Sequence, residues 1–221
     1  MGGTVIDVLV YSAVFGGYDQ VREPLEAGRY RLITDGRAPW GWQEQHEPPT
    51  YTPRRQARYW KTAGMPTDAE FVLWLDGNVQ LAVDPRVLIK AWLIKPKMDV
   101  ALFKHPGHDC IYTEGRVCKS KRKELPSVVD AQMTKLRKKG FPAHFGLGET
   151  TVLARRVCPA VDWLNERWWQ EIEDSSVRDQ LSFDYVRWLM GDKLKVNFID
   201  GGHAWKRREH EWVRGWMNHV K

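Results

Sequence analysis

Cysteine is scarce in this chain. The three present, Cys110, Cys118 and Cys158, are an odd number with no C-x-x-C pair, which excludes a disulfide framework or a zinc knuckle as the organising element. A reducing cytoplasm is the compartment that such usage implies. No run approaches the roughly 18 uninterrupted apolar residues that a membrane-spanning helix needs. The opening MGGTVIDVLVYSAVFGG carries no basic residue ahead of its apolar stretch, so no secretory signal is expected and the protein reads as soluble and cytoplasmic. Internal repeats and low-complexity segments are also lacking, which excludes solenoids and arrays.

What the chain does have is material for a core: 43% hydrophobic residues, with 12 tryptophans among 221 residues, suffice for one domain over 1–221. Its charge is uneven. Residues 111–140 hold nine Lys or Arg against Glu114, Glu124 and Asp130, a net +6 that equals the excess of the whole chain. Such a block is either a solvated helix face or a surface for a polyanion, whether nucleic acid, an anionic glycan or nucleotide phosphates.

The hydrophobic pattern predicts alternating strands and helices. TVIDVLVYSAVFGG, RYRLITD, EFVLWLD, DVALFKH, GETTVLARR and KVNFID read as strands. RRQARYWKTAG, DPRVLIKAWLIK, PAVDWLNERWWQEIE and RDQLSFDYVRWLM read as helices. In the second helix Asp84 caps Pro85, with Val87, Leu88 and Trp92 on the apolar face; in the last, Leu181, Tyr185, Trp188 and Leu189 are spaced for burial. Ser127 and Asp130 are expected to open a further helix, with Val129, Met133 and Leu136 inward and Gly140 as its stop. APWGWQEQHEPPTYTP is predicted to be irregular. The class is α/β, in which ligands sit outside the carboxyl ends of the strands.

Three of the predicted strands end in polar turns: VFGGYD, ITD and WLDGN. In a mainly parallel sheet these meet at one edge, so Tyr18, Asp19, Asp35, Asp76 and Asn78 are candidates for a single crevice. An Asp and an Asn one Gly apart offer hard oxygen donors suited to Mg²⁺ or Mn²⁺, which keep positions for water and phosphate. The same triplet is also a good turn. Arg58 and Lys61, at i and i+3 of a predicted helix, either assist with phosphates or form a solvated face. Ser176 and Asp179 fit an S-x-x-D cap. His105 and His108 flank Pro106-Gly107 after a strand, placed to reach an acceptor but too close and turn-bound to read as a zinc pair. Trp168 and Trp169 read as packing rather than as a sugar platform.

Several stretches together carry a resemblance: YSAVFGGYD (11–19), ITD (33–35), RYWK (58–61), WLDGN (74–78), HPGHDCIYTEG (105–115), GFPAHFGLGETTVLAR (140–155), and WWQEI with SSVRDQLSFDYV (within 168–186). Through them the chain resembles a glycosyltransferase-like family best known from plant proteins of mucilage and cell-wall biosynthesis, with bacterial members. The motifs keep the family's order over nearly the whole chain. The resemblance implies a GT-A-like fold, one domain with a mixed, mainly parallel sheet flanked by helices. Its nucleotide-binding part would be about residues 1–105 and its sugar- and acceptor-binding part about 106–221. It further implies transfer of a sugar from a UDP- or GDP-sugar donor to a hydroxyl of a glycan or polysaccharide precursor, assisted by Mn²⁺ or Mg²⁺.

In that setting Phe15, Gly16, Tyr18, Asp19 and Asp35 hold the nucleoside, Arg58 and Lys61 the phosphates, and Asp76 with Asn78 the cation. His203, in the C-terminal DGGHAWKRREHEW that also contains His210, adds a metal ligand. Asp179 bonds sugar hydroxyls and Gln180 faces the anomeric carbon, while the leaving phosphate takes the acceptor proton in a retaining reaction. Glu149 or Asp179 as general base of an inverting reaction is the alternative. His105, His108, Glu114, Lys121, Arg122 and Lys123 line the acceptor side. The chain departs from the family pattern at His108, at Glu114 where an acidic pair is usual, and at Asn78, which replaces the second acid of a D-x-D. The basic segment leaves two other expectations. One is DNA with hydroxylated pyrimidines as acceptor, its base flipped out; the other is a non-catalytic nucleic-acid-binding protein.

Overall fold

The computed structural model describes residues 5–201 and 211–215. The strands are β1 (Val8–Val14), β2 (Arg29–Thr34), β3 (Gln43–His46), β4 (Phe71–Leu75), β5 (Val79–Leu81), β6 (Val100–Lys104), β7 (Gly148–Arg156), β8 (Val196–Ile199) and β9 (Val213–Gly215). The helices are α1 (Pro53–Thr62), α2 (Pro85–Ile89), α3 (Ile111–Ser120), α4 (Pro126–Lys138), α5 (Pro159–Asp174) and α6 (Phe183–Met190), with a 3₁₀ turn at Asp179–Leu181.

Seven strands form one sheet in the order β3-β2-β1-β4-β7-β6-β8. β1 to β4 run parallel, as do β6 and β8, and β7 lies antiparallel to both β4 and β6. The expected mixed, mainly parallel architecture is what forms. Reversal of β7 matters for the site, because its first residues come to the same sheet edge as the last residues of β1, β2, β4 and β6. A separate pair, β5 with β9, sets Val79 opposite Gly215.

Alternating side chains assign the two faces of the sheet. Leu9, Tyr11, Val72, Trp74, Leu102 and Leu153 pack with Trp60, Trp168 and Phe183 from the helices on one side. Val8, Val10, Leu73, Leu75, Phe103 and Val152 pack with Leu88, Ile89, Trp92 and Leu93 on the other. Each fully buried large apolar side chain contributes about 1.5–3 kcal/mol. Trp168 also finds a polar partner, as buried indoles do: its Nε1 donates to the Asp179 carbonyl (3.2 Å) and to Ser182 Oγ (3.1 Å). No helix among the described residues is long and apolar enough to cross a membrane.

Several local expectations are corrected. The segment predicted to be irregular contains β3, which is held by pairing with β2 rather than by its own QEQH pattern. α2 passes into a widened π-type turn at Lys90–Ile94, and its buried face is Leu88, Ile89, Trp92 and Leu93, leaving Val87 52% exposed. Leu189 is likewise exposed, since α6 begins only after the 3₁₀ turn and its face is rotated accordingly. Ser127 and Asp130 make no capping box: Leu125 is the N-cap and Pro126 the first helical residue, while Asp130 pairs with Lys119. Val129, Met133 and Leu136 are buried as expected. α3 went unpredicted because IYTEGRVCKS has poor helix propensity. Its Gly115 packs closely on α4, where a Cβ would come 3.1 Å from Met133 Sδ and 3.3 Å from Val129 Cγ1.

Candidate active site

The three strand-end loops meet. The Gly16 amide donates to Asp35 Oδ2 at 2.8 Å, joining the end of β1 to the end of β2. At Gly77 a Cβ would lie 2.6 Å from Val14 Cγ2 and 2.8 Å from Asp19 Cβ, so the β1 loop presses directly on the β4 turn. Only glycine permits that approach. Gly16 and Gly17 both take positive φ, which folds VFGGYD tightly over the start of α1. Phe15 is buried beneath the loop, while Tyr18 is 51% exposed above it.

Behind the loops lies a buried ionic bridge. Lys61 Nζ, on a residue only 1% exposed, stands 2.9 Å from Asp76 Oδ1 and 2.6 Å from Asp179 Oδ2. Asp179 also accepts from Thr150 Oγ1 (2.6 Å) and has Arg58 Nε at 3.3 Å. Asp76 Oδ1 takes a second bond from Trp74 Nε1 at 2.8 Å, from the preceding β-strand. Burial acts to raise the Asp179 pKa, but Arg58, Lys61 and Arg178 outweigh it and hold the carboxyl well below the usual range. For Arg58, burial acts to lower the pKa and the charges of Asp179 and Asp76, with Tyr18 and Asp19, carry it upward. The Ser176–Asp179 cap is therefore not formed, because Asp179 turns inward to these cations. Lys61 is an interior bridge rather than an exposed phosphate ligand.

The reversed strand β7 supplies what sequence reading missed. Thr150 bonds Asp179, the Thr151 carbonyl accepts from the Asp76 amide (2.9 Å), and Thr151 Oγ1 donates to Glu149 Oε1 (2.6 Å). Glu149 is 3% exposed and stands opposite Phe103, where the β6–β7 register shifts. Gln180 reaches the carbonyl of Gly148 at 3.5 Å. Asp184, fully buried, accepts from the Gly148 amide (2.8 Å) and from Arg187 Nε (2.9 Å), and its pKa is raised by burial. The triplet Asp76-Gly77-Asn78 is also a turn, closed by the Val79 amide on the Asp76 carbonyl (2.9 Å). His203 and His210 lie outside the described residues.

A second cluster occupies the end of β6. His108 Nε2 lies 3.0 Å from Glu114 Oε2, and the His105 and His108 rings are 4.2 Å apart between centroids. Glu114 is 2% exposed, with its other oxygen accepting from Cys118 Sγ (3.3 Å) and 3.9 Å from Lys123 Nζ. α3 packs on the 3₁₀ turn that carries Asp179 and Gln180, so this cluster flanks the bridge rather than joining it. Burial and the guanidinium of Arg178 push the Lys123 ammonium below its usual range. Lys121 and Arg122 are exposed in the turn after α3, Arg122 at positive φ. The basic segment is not one free surface: Lys119 pairs with Asp130, Lys135 with Glu171, and Arg137 lies over the Tyr112 ring.

Residues 62–204 match the family model TOD1/MUCI70, glycosyltransferase-like domain. The chain belongs to the TOD1/MUCI70 glycosyltransferase-like family. Among its relatives, the Arabidopsis thaliana probable hexosyltransferase MUCI70 is 24% identical over 214 residues, covering 81% of this chain and 37% of that protein. The alkaline ceramidase TOD1 of the same plant is 24% identical over 142 residues, 60% of this chain and 31% of that protein. The chain thus spans well under half the length of either relative. Two solved structures are also similar. Mouse xyloside xylosyltransferase 1, in its apo form, is 10% identical with a TM-score of 0.42, covering 97% of this chain and 95% of that one. Core-mannan synthase A from Aspergillus fumigatus, in its Mn/GDP form, is 9% identical with a TM-score of 0.48, covering 100% and 76%. The TOD1/MUCI70 match takes in Asp76, Asn78, His105, Glu114, Glu149, Asp179 and Gln180. The β1 loop, Asp35, Arg58 and Lys61 precede the matched stretch, yet Arg58 and Lys61 contact Asp179 and Asp76 within it and the β1 loop presses on Gly77.

Proposed function

We propose that this domain is a nucleotide-sugar-dependent glycosyltransferase that moves a sugar from a UDP- or GDP-sugar to a hydroxyl of a glycan or polysaccharide precursor. The observation that carries this reading is the meeting of the loops at Gly16, Asp35, Asp19 and Gly77 in front of the Asp76–Lys61–Asp179 bridge. Family membership agrees with it. The nucleotide-binding part is about residues 1–105, and the acceptor part about 106–221.

In this reading the two left-handed glycines let backbone approach the nucleoside, with Phe15 beneath it and Tyr18, Asp19 and Asp35 around it. Asp76 and Asn78 would hold Mn²⁺ or Mg²⁺, with His203 as the expected further ligand; a carboxylate and an amide oxygen fit a hard ion that keeps positions for water and phosphate. When bound, the ion stabilises negative charge on the departing diphosphate. Trp74 and Lys61 fix Asp76 Oδ1, so the aim of that carboxylate is set by the protein. Arg58 serves the diphosphate, and Lys61 supports it from behind. Asp179, held ionised by three cations, is too weak a base to accept the acceptor proton. It orients sugar hydroxyls instead, while Gln180 faces the anomeric carbon. The acceptor hydroxyl attacks from the side on which the diphosphate leaves, the anomeric C–O bond breaks, and a phosphate oxygen takes the proton, with retention. His105, His108, Glu114, Lys121, Arg122 and Lys123 belong to the acceptor side.

The test is to incubate the purified protein with UDP- and GDP-sugars and Mn²⁺ or Mg²⁺, following nucleotide release and thermal shift. Ceramide is included as a competing substrate, since one relative is named an alkaline ceramidase. Donor-dependent nucleotide release is the expected result. Ceramide cleavage without response to any donor overturns the reading.

A further inference from the structure

We propose that His105, His108 and Glu114 form a second cation site, selective for a borderline ion of the Zn²⁺ class and separate from the Asp76–Asn78 turn. One ligand atom from each residue lies within 4.8 Å of the others. A four-coordinate zinc with bonds of about 2.0–2.2 Å holds its ligands roughly 3.3–3.5 Å apart, so modest side-chain rotations close the set. The His108–Glu114 pair, hydrogen-bonded at 3.0 Å, is already close to that separation, and an ion would take the place of the hydrogen between them. Glu114 comes to this position oriented: it is buried and its second oxygen accepts from the Cys118 thiol, the kind of outer contact that aims a metal-binding carboxylate.

The chemistry of the donors selects the ion. Two imidazoles with one carboxylate favour Zn²⁺ over Mg²⁺ or Mn²⁺, for which oxygen donors are expected to predominate, and three protein ligands leave a fourth position to water. There is a local cost. His105 Nδ1 accepts from the Gly107 and His108 amides at 3.3 Å, and metal bound through Nε2 moves the ring proton to Nδ1 and gives up both long contacts. The Pro106-Gly107 turn in which this adjustment takes place is exposed. A histidine pair alone, three residues apart in a turn, is a weak signal; the third donor arrives from α3, an element the sequence pattern conceals.

The site is tested on the full chain, free of any histidine tag and stripped with chelator. Zn²⁺ is titrated against a chromophoric chelator, and Co²⁺ is added to read its visible spectrum. One Zn²⁺ per chain is expected, with a tetrahedral Co²⁺ spectrum. His108→Ala and Glu114→Gln should each weaken Zn²⁺ binding at least about tenfold, with the fold checked by circular dichroism. Asp76→Ala should leave Zn²⁺ affinity unchanged, which separates this site from the proposed donor site. Absence of Zn²⁺ binding by the wild-type chain overturns the proposal even if a variant fails to fold. So does affinity that survives the His105→Ala, His108→Ala double variant, because the ion then sits elsewhere.

Discussion

Lys61 and Asp179 meet at 2.6 Å with side chains 1% and 3% exposed, so this carboxylate is anchored in the protein interior. Arg58 and Thr150 approach the same carboxylate, and Lys61 carries the link on to Asp76. Removing either end of such a pair leaves a buried charge unmatched.

Asp179→Asn is therefore expected to destabilise the fold by about 3–5 kcal/mol. Urea unfolding of wild type and variant measures this; a difference below about 1 kcal/mol, the range of surface pairs, would contradict the buried bridge.

The pH dependence of stability follows from the depressed Asp179 pKa. Its contribution is present in full above the unfolded carboxylate value of about 3.9 and is lost as pH falls toward the folded value. Wild type should lose stability below about pH 4 with a steeper slope than Asp179→Asn. Asp184, whose pKa is raised by burial, acts with the opposite sign: its contribution is present below the unfolded value and is lost as pH rises through the folded one. Asp184→Asn should thus flatten the slope on the alkaline side of that value, as read from denaturant midpoints across the acid range.

Asp76→Ala removes the acceptor of the Trp74 and Lys61 bonds and one oxygen donor of the proposed cation site. Turnover of donor should fall by about 10²–10³, the range for loss of one electrostatic stabiliser, with the far-UV spectrum retained. Unchanged nucleotide affinity and turnover would end the glycosyltransferase reading.

Asn78→Asp restores a second acid to the turn. Mn²⁺ affinity, followed by titration in the presence of nucleoside diphosphate, should increase, because a carboxylate adds charge where an amide supplies only a dipole. Weaker Mn²⁺ binding would argue against a cation at this turn.

Gly77→Ala forces a methyl group to within 2.6 Å of Val14 Cγ2 and 2.8 Å of Asp19 Cβ. About 1–3 kcal/mol of stability should be lost, together with a raised KM for donor as the β1 loop is pushed off the β4 turn.

The sheet class and the loops at one edge were legible because they follow from local signals: β-branched runs, glycine pairs and acidic turns. Gly16, Asp35, Asp19 and Gly77 meet as a mainly parallel sheet requires. The ionic bridge was not legible in full. Asp179 fits a local cap by its spacing to Ser176, and only the packing of α1 against α5 and the 3₁₀ turn brings Lys61 and Arg58 to it. Thr150 and Thr151 gave no signal, since their role depends on the reversal of β7, which strand propensity does not encode. Glu114 stands out as a residue but not as part of a helix, because Gly115 disguises α3.

The pairing of β5 with β9 sets Gly215 opposite Val79, the immediate neighbour of Asn78. β9 thereby braces the short strand that leaves the Asp76–Asn78 turn, tying the steadiness of that turn to a segment far along the chain.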